Sequence, residues 1–235
     1  MPDQHLSSQF DSDLNSLCSK LLEMGGLVEA QITVALQGFS QMDTELCDVV
    51  IERERRVNEL EVEIDSDCAE VIARRQPTAR DLRLVMAVSK AITNLERAGD
   101  EAERVAKRTK RLISDGILNR INIAEIRLSG QMAVTLLRRS LDSFARLDAV
   151  AAAQVVKEDR QLDEEFQSFV RLLVTYMMED PRLISTGLDM LSIAKAIERI
   201  GDHSKNIAEF VIYVAKGADV RHIPQEDLER EANKQ

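Results

Sequence analysis

The sequence is poor in the residues that build sheets, disulfide frameworks and thiolate metal sites. Its 235 residues include no Trp and only 3% aromatic residues, which is the composition of long helices rather than of sheets. The three cysteines, Cys18, Cys47 and Cys68, are odd in number and form no CxxC pair, so neither a disulfide framework nor a zinc–thiolate site is indicated. We expect each to be a small buried residue in a reducing compartment.

Long apolar runs and clustered basic residues are also absent. No segment approaches the roughly 20 apolar residues of a membrane span. The first residues, MPDQHLSSQF, lack the basic and apolar regions of a signal peptide, so we expect a cytoplasmic protein. A net charge of −10 without a basic cluster argues against nucleic acid as a partner, because nucleic-acid binding depends on neutralising phosphates.

Only four prolines occur, and two of them mark equivalent helix starts. Pro77 and Pro181 each precede a long stretch of helical apolar periodicity, where proline in the first turn is tolerated. Thr78 and Asp180, beside them, are suitable N-cap residues and lie 102 positions apart. Gly217 is suited to end the last helix. The spacing predicts an internal repeat.

The apolar periodicity predicts an all-α protein of six helices, three in each repeat. The predicted helices cover about residues 7–40, 44–75, 79–113, 122–147, 149–179 and 181–216. Two tandem, pseudo-symmetric three-helix bundles satisfy this pattern, and a single irregular six-helix bundle is the alternative. The first bundle is predicted over residues 1–115, the second over 116–217, and a polar C-terminal tail that frays over 218–235.

Each repeat carries a motif in which a glycine interrupts a strongly helical segment. ERAGDEAERVAKR starts at Glu96 and ERIGDHSKNIAEF starts at Glu198, again 102 positions apart. A glycine inside a helix costs about 1 kcal/mol relative to alanine, so its repetition indicates that another helix or a ligand must come close. A glutamate and an aspartate project beside this glycine from successive turns, as Glu96 with Asp100 and Glu198 with Asp202.

Two carboxylates at this spacing repel each other unless a cation lies between them. Carboxylate ligands suit Mg²⁺, Mn²⁺ or iron when neighbouring helices add further groups, and Glu54 and Asp159 are possible contributors from the preceding helix of each repeat. The alternative is that the carboxylates are salt-bridged on a solvated helix face. The nearby cations that would form such bridges are Arg97, Arg104, Lys107, Arg108, Arg199 and Lys205.

Signatures of catalysis are absent from the sequence. It has no Glu-x-x-His pair of the kind that ferritin-like di-metal proteins use, and His203 is either a further ligand or an ordinary surface histidine. It also lacks a GxxxxGK[ST] phosphate loop and a GxSxG elbow. We therefore predict that the protein is not an enzyme, with metal-dependent phosphoester chemistry at the clustered carboxylates as the alternative.

The glycine motifs occur within longer stretches that resemble the PhoU family, the phosphate-signalling accessory proteins of bacteria. The resemblance is carried by QPTARDLRLVMAVSKAITNLERAGDEAERVAKR from Gln76, by MMEDPRLI and SIAKAIERIGDHSKNIAEFVIYVAKG in the second repeat, and by MGGLVEAQI near the N-terminus. It implies two pseudo-symmetric three-helix bundles. It also implies a divalent metal, Mg, Mn, Fe or Zn, at Glu96, Asp100, Glu198 and Asp202.

The resemblance further implies a function. Family members are negative regulators of the phosphate-starvation response and modulators of phosphate uptake, and they link the nucleotide-binding subunit of the phosphate ABC transporter to a membrane sensor histidine kinase. We accordingly expect a homodimer that presents acidic helix faces to these partners and reaches the membrane only through them. Arg104 departs from the family pattern, which often has Asn there as at Asn206, so its guanidinium is expected to compete with a cation for Asp100.

Overall fold

The computed structural model describes residues 8–116 and 122–234, and these residues form seven α-helices with no strand. The helices are α1 (Ser8–Gln41), α2 (Thr44–Arg75), α3 (Ala79–Asp115), α4 (Ala124–Arg146), α5 (Ala149–Glu179), α6 (Ile184–Lys216) and α7 (Gln225–Ala232). The six long helices match the predicted ones to within a few residues. The sixth begins at Ile184 rather than at Pro181, because Pro181–Leu183 forms a 3₁₀ turn ahead of it.

Side chains and left-handed residues fix the helix ends. The carboxylate of Asp43 accepts hydrogen bonds from two backbone N–H groups of α2, and Asp148 does the same for α5. Gly116 and Gly217 follow α3 and α6 with φ values of 67° and 77°, a conformation in which glycine has no Cβ penalty. The predicted stop at Gly217 is therefore confirmed.

The long helices form two sets of three that pack through one shared core. Helix α1 contacts α2 and α3, and α4 contacts α5 and α6. The two sets meet chiefly where α3 packs antiparallel to α6. At one end of this helix pair Arg108 binds Asp189 at 2.8 Å, and at the other the guanidinium of Arg83 lies against Gly217. The predicted all-α repeat architecture is thus confirmed, while the exact domain boundaries stay a prediction.

The C-terminal segment differs from the expected fraying tail. Residues 225–232 form the short helix α7, which packs on α5 and α6. Leu228 and Ala232, one turn apart on the same face, are 2% and 1% exposed. This apolar pair packs against the second bundle, and an ion pair of 3.3 Å between Lys157 of α5 and Glu229 adds a polar contact. None of the helices in the described ranges is long and apolar enough to cross a membrane.

Candidate functional site

In the first half, Gly99 makes room for a buried carboxylate. A Cβ at this position would lie 3.1 Å from Oε2 of Glu54, which projects from α2 toward α3. The Glu54 side chain is only 6% exposed. The amide Nε2 of Gln31, on α1, donates a hydrogen bond to Oε2, while Oε1 is buried without a hydrogen-bond partner. The glycine of the first motif therefore serves a close approach between α2 and α3.

The environment of Glu54 disfavours its charge. Burial raises its pKa to about 7, although the hydrogen bond from Gln31 acts in the opposite direction. The nearby negative charges of Asp100, Glu103 and Glu96 raise the pKa further. Glu54 thus lies close to the carboxylates of the first motif, as the sequence suggested, and it takes part in a crowded acidic group.

In the second half, Gly201 makes room for Asp159 and Leu162. A Cβ at this position would lie 2.8 Å from Oδ1 of Asp159 and still closer to Cδ2 of Leu162, both on α5. Asp159 is 1% exposed, and neither of its carboxylate oxygens has a hydrogen-bond partner. The ammonium of Lys205 lies 3.4 Å from Oδ2. Burial raises the pKa of Asp159 to about 6, against the lowering effect of Lys205.

Asp159 converges with two further carboxylates from α5 and α6. Asp159, Asp163 and Asp202 each offer an oxygen that lies within 4.8 Å of the others. In the described part of the chain, this is the one group of three acidic, histidine or cysteine side chains that is so closely grouped. We call it the aspartate cluster. Sequence reasoning named Asp202 and Asp159 but missed Asp163, whose signal was its position one helical turn beyond Asp159.

Glu198, the other predicted ligand of the second motif, is not a member of this cluster. Its Oε1 accepts a hydrogen bond from the ammonium of Lys195 at 2.6 Å, whereas its Oε2 is buried without a partner. Burial raises its pKa, and the negative charges of Asp202 and Asp163 add to that effect. The salt-bridge interpretation therefore holds for Glu198, while the described residues give no ion pair to Asp163 or Asp202.

The first motif is more open than the second. Glu96 is half-buried and Asp100 is exposed. Burial, followed by the charge of Asp100, raises the pKa of Glu96. Arg104 binds Glu101 at 3.1 Å, so the expected competition of Arg104 for Asp100 is wrong in this structure. The carboxylates of the first motif thus lie on a more solvated face than the aspartate cluster does, and the described residues give no ion pair between a guanidinium and Asp100.

The two motifs face each other across a polar groove of about 600 Å³ between α3 and α6. Asp100 and Asp202 both line it, and Arg199 crosses it to bind Glu101 at 3.2 Å. The remaining lining residues are Arg97, Arg104, His203 and Asn206.

His203 is neither a member of the aspartate cluster nor an ordinary surface histidine. Its Nδ1 lies 3.1 Å from Oδ1 of Asn94, on the opposite helix. Burial lowers its pKa to about 4, and the guanidinium groups of Arg97 and Arg199 act in the same direction. His203 is therefore a neutral hydrogen-bonding group of the interface between α3 and α6.

These features define a class of protein: an all-helical, internally repeated protein with acidic, glycine-centred helix pairs. The PhoU domain family matches residues 21–109 and 126–211, one segment in each half. The chain belongs to the PhoU family.

Two relatives with solved structures and one further relative support this assignment. A phosphate-specific transport system accessory protein PhoU homolog of a Burkholderia species is 53% identical over 233 residues, covering 99% of both chains. The crystal structure of PhoU from Pseudomonas aeruginosa has a TM-score of 0.86 at 43% identity, covering 89% of this chain and 100% of that one. The phosphate transport system regulatory protein PhoU from Streptococcus pneumoniae has a TM-score of 0.83 at 26% identity, with coverages of 90% and 99%.

The protein is therefore a member of a family of phosphate transport accessory and regulatory proteins. The names of these relatives describe accessory and regulatory roles, which favours such a role over the alternative of phosphoester chemistry.

Proposed function

We propose that this protein is a cytoplasmic negative regulator of the phosphate-starvation response and a modulator of phosphate uptake. In this role it is a homodimeric adaptor between the nucleotide-binding subunit of the phosphate ABC transporter and a membrane sensor histidine kinase. The observation that carries the proposal is membership of a family whose relatives are named as phosphate transport accessory and regulatory proteins. Adaptor function requires docking surfaces rather than covalent chemistry.

The exposed apolar residues of the two halves support a docking role. Large apolar side chains that are more than a third exposed occur in both repeats, and those on the third helices form two pairs, Leu82 with Ile184 and Met86 with Leu188, each 102 positions apart. We call these sets the twin apolar patches: Ile72, Leu82 and Met86 in the first half, Val174, Ile184 and Leu188 in the second. Scattered exposed apolar residues need no explanation, but two matched pairs, each accompanied by an exposed apolar residue near the end of the second helix, are a repeated surface feature.

The twin apolar patches lie at opposite ends of the molecule. Because α3 and α6 are antiparallel, Leu82 is near the end of α6 at Gly217, and Leu188 is near Arg108 of α3. About 30 residues of helix separate these ends, which corresponds to roughly 45 Å. Each patch lies at the corner where the second and third helices of its repeat meet, so one molecule can engage two partners at once.

A double substitution, Met86→Glu with Leu188→Glu, tests the docking proposal. We expect the variant to bind the purified nucleotide-binding subunit at least about tenfold more weakly, since a charge in an apolar contact is desolvated without a partner. A phosphate-starvation reporter should also become active in phosphate-rich medium. Val62→Glu, at a 70% exposed apolar residue outside the patches, is the matched control. Unchanged binding and repression in a folded double variant would refute the assignment of the patches.

We also propose that the aspartate cluster binds a divalent cation, Mg²⁺, Mn²⁺, iron or Zn²⁺. Three convergent carboxylates are the donor set that hard cations prefer. The carboxylate of Asp159 is buried and accepts no hydrogen bond; its Oδ1 has no partner, whereas a cation would compete with Lys205 for Oδ2. A bound cation would neutralise the like charges that now face one another and would join α5 to α6.

Titration calorimetry with Mn²⁺ on metal-stripped protein tests the cation site. We expect Asp163→Asn with Asp202→Asn to reduce the affinity at least about tenfold, because two of the three charged ligands are lost. The matched variant of the first motif, Glu96→Gln with Asp100→Asn, should leave this affinity unchanged. Loss of binding only in the first-motif variant would transfer the site to Glu96 and Asp100. Absence of binding to the wild type would leave the carboxylates as paired or partner-facing groups.

A further inference from the structure

A second cavity, lined by no residue of the aspartate cluster or of the twin apolar patches, lies at the C-terminal edge of the second half. It has a volume of about 300 Å³ and forms where the segment after α6 folds back over α5 and α6. Four basic side chains line it, from three different parts of the chain: Arg160 on α5, Lys205 on α6, and Arg221 and His222 before α7. We call it the basic pocket.

The basic side chains are held in place by local contacts that leave the pocket accessible. Arg221 forms a bidentate ion pair with Asp219, from Nε to Oδ1 at 2.9 Å and from Nη2 to Oδ2 at 2.5 Å, which fixes its guanidinium plane. His222 has a φ of 67°, in the left-handed region that non-glycine residues rarely adopt. Arg160 is exposed, and no ion pair to it is found in residues 8–116 and 122–234. Its guanidinium therefore remains available to a ligand.

Positive groups outnumber negative ones in the pocket wall. Glu209 is the one carboxylate among the lining residues of this pocket, and it is 8% exposed. Burial raises its pKa to about 7, although Lys205 and Arg221 act in the opposite direction. Lys205 lines the pocket and also lies 3.4 Å from Oδ2 of Asp159, so its positive charge is shared between a ligand in the pocket and this carboxylate. A protonated Glu209 is a hydrogen-bond donor, so it is compatible with an oxyanion that accepts hydrogen bonds.

We propose that the basic pocket binds a tetrahedral oxyanion, either inorganic phosphate or the phosphoryl group of a small phosphomonoester. Two guanidinium groups, an ammonium and an imidazole from three parts of the chain line the pocket, and they offer more donors than the two oxygens of a carboxylate can accept. Arginine pairs well with such anions because its planar fork matches two oxygens at once. The cavity exceeds the size of a bare phosphate, so it has room for a small organic group as well.

The first half has no equivalent pocket chemistry. At the positions that correspond to Lys205 and Glu209 it has Glu103 and Lys107, with the charges exchanged. These two side chains bind each other at 2.6 Å. The first half can therefore serve as an internal control for anion binding. Arg55 corresponds to Arg160 in the aligned helix motifs and is 88% exposed, but it lies outside the basic pocket.

Titration calorimetry of the full chain with inorganic phosphate, glycerol phosphate, sulfate and acetate tests the proposal. We expect saturable phosphate or glycerol phosphate binding, weaker sulfate binding and no acetate binding. Arg160→Gln should weaken the affinity at least about tenfold, and Arg160→Gln with Arg221→Gln should abolish binding. The matched Arg55→Gln variant should bind as the wild type does. Preference for glycerol phosphate would identify a phosphomonoester, and preference for phosphate would identify the free anion.

Two results would overturn the basic pocket as an anion site. One is the absence of saturable binding of all four anions at millimolar concentration. The other is an equal loss of affinity in Arg160→Gln and Arg55→Gln, which would indicate nonspecific attraction to surface charge. Circular dichroism and the thermal midpoint of each variant distinguish a lost site from a lost fold.

Discussion

In the first half, Gly99 faces the carboxylate of Glu54, which accepts a hydrogen bond from the neutral amide of Gln31. In the second half, Gly201 faces Asp159, whose partner is the ammonium of Lys205 at 3.4 Å. The backbone arrangement is repeated, but the compensation of the buried charge differs. A hydrogen bond from an amide leaves the net charge in place, whereas an ammonium removes most of it.

This difference extends to the carboxylates around each glycine. In the second half, three aspartates each place an oxygen within 4.8 Å of the others, and the ammonium of Lys205 lies beside Asp159. The first half spreads its carboxylates over a more exposed face, and Lys107 pairs with Glu103 rather than with a buried group. The repeat therefore preserves the close approach of two helices, while the polar chemistry around that approach has diverged.

The largest expected difference between the halves comes from adding one methyl group to each glycine. Gly201→Ala should destabilise the protein by about 2 kcal/mol, because its Cβ would overlap Cδ2 of Leu162, which is 1% exposed and has little room to move. Gly99→Ala should change stability by less than about 1 kcal/mol, because the gain in helix propensity offsets a milder contact of 3.1 Å with Glu54. Urea denaturation followed by circular dichroism measures both. Equal effects would show that the two approaches are equally tight.

A second comparison uses variants in which the buried carboxylate of each half is replaced by an amide, Glu54→Gln and Asp159→Asn. The free energy of unfolding of each variant is compared with that of the wild type as a function of pH. The folded-state pKa of Glu54 is about 7, above its unfolded value, so its contribution to stability is fully present below about pH 4 and is lost as the pH rises through 7. Glu54→Gln avoids this loss. Its stability relative to the wild type should therefore grow by about 2 kcal/mol between pH 5 and pH 8.

The folded-state pKa of Asp159 is about 6, lower than that of Glu54. A larger share of its stability contribution is therefore already lost below pH 5. The relative stability of Asp159→Asn should accordingly grow by only about 1 kcal/mol over that range. Thermal melts in the presence of a chelator give both values. Glu52→Gln, on the exposed face of α2, corrects for the loss of one surface charge. If the difference in stability between Glu54→Gln and the wild type did not change with pH, the charge of Glu54 would already be stabilised by neighbouring groups in the folded protein.

The smallest effect concerns the capping residue ahead of the third helix in each half, which is Thr78 for α3 and Asp180 for the 3₁₀ turn that precedes α6. Asp180 accepts a hydrogen bond from the backbone N–H of Arg182 at 3.1 Å, so Asp180→Ala should cost about 1 kcal/mol. Thr78 occupies the equivalent position without a side-chain cap hydrogen bond, so Thr78→Ala should cost less than about 0.5 kcal/mol. Thermal denaturation compares them. A larger cost for the threonine variant would contradict the capping geometry.

Local signals in the sequence were sufficient for most of the fold. The period of apolar residues, with Pro77, Pro181 and Gly217, located six helices to within a few residues. The short helix α7 was missed because it has only two buried apolar residues, Leu228 and Ala232, in a polar segment. Its stability comes from packing on α5, which no local pattern in a stretch of 8 residues specifies.

The candidate sites were only partly predictable. The paired motifs identified Asp100 and Asp202, because helical spacing alone places them beside the glycines. The membership of Asp163 and the turning of Glu198 toward Lys195 depended on how α5 lies against α6. Likewise, Arg104 was near Asp100 in sequence but binds Glu101, since both face the groove between α3 and α6.

The sequence by itself determined the helices, the repeat of 102 positions and the place of the two glycine-centred motifs, since these depend on spacing along one helix. Only the tertiary structure decided which carboxylates converge, which cations compensate them, and that four basic residues meet in a pocket beneath the C-terminal segment. The physical reason is that charge interactions depend on distances between side chains on different helices. The packing of the helices sets those distances, and the regular spacing of residues along the chain does not determine them.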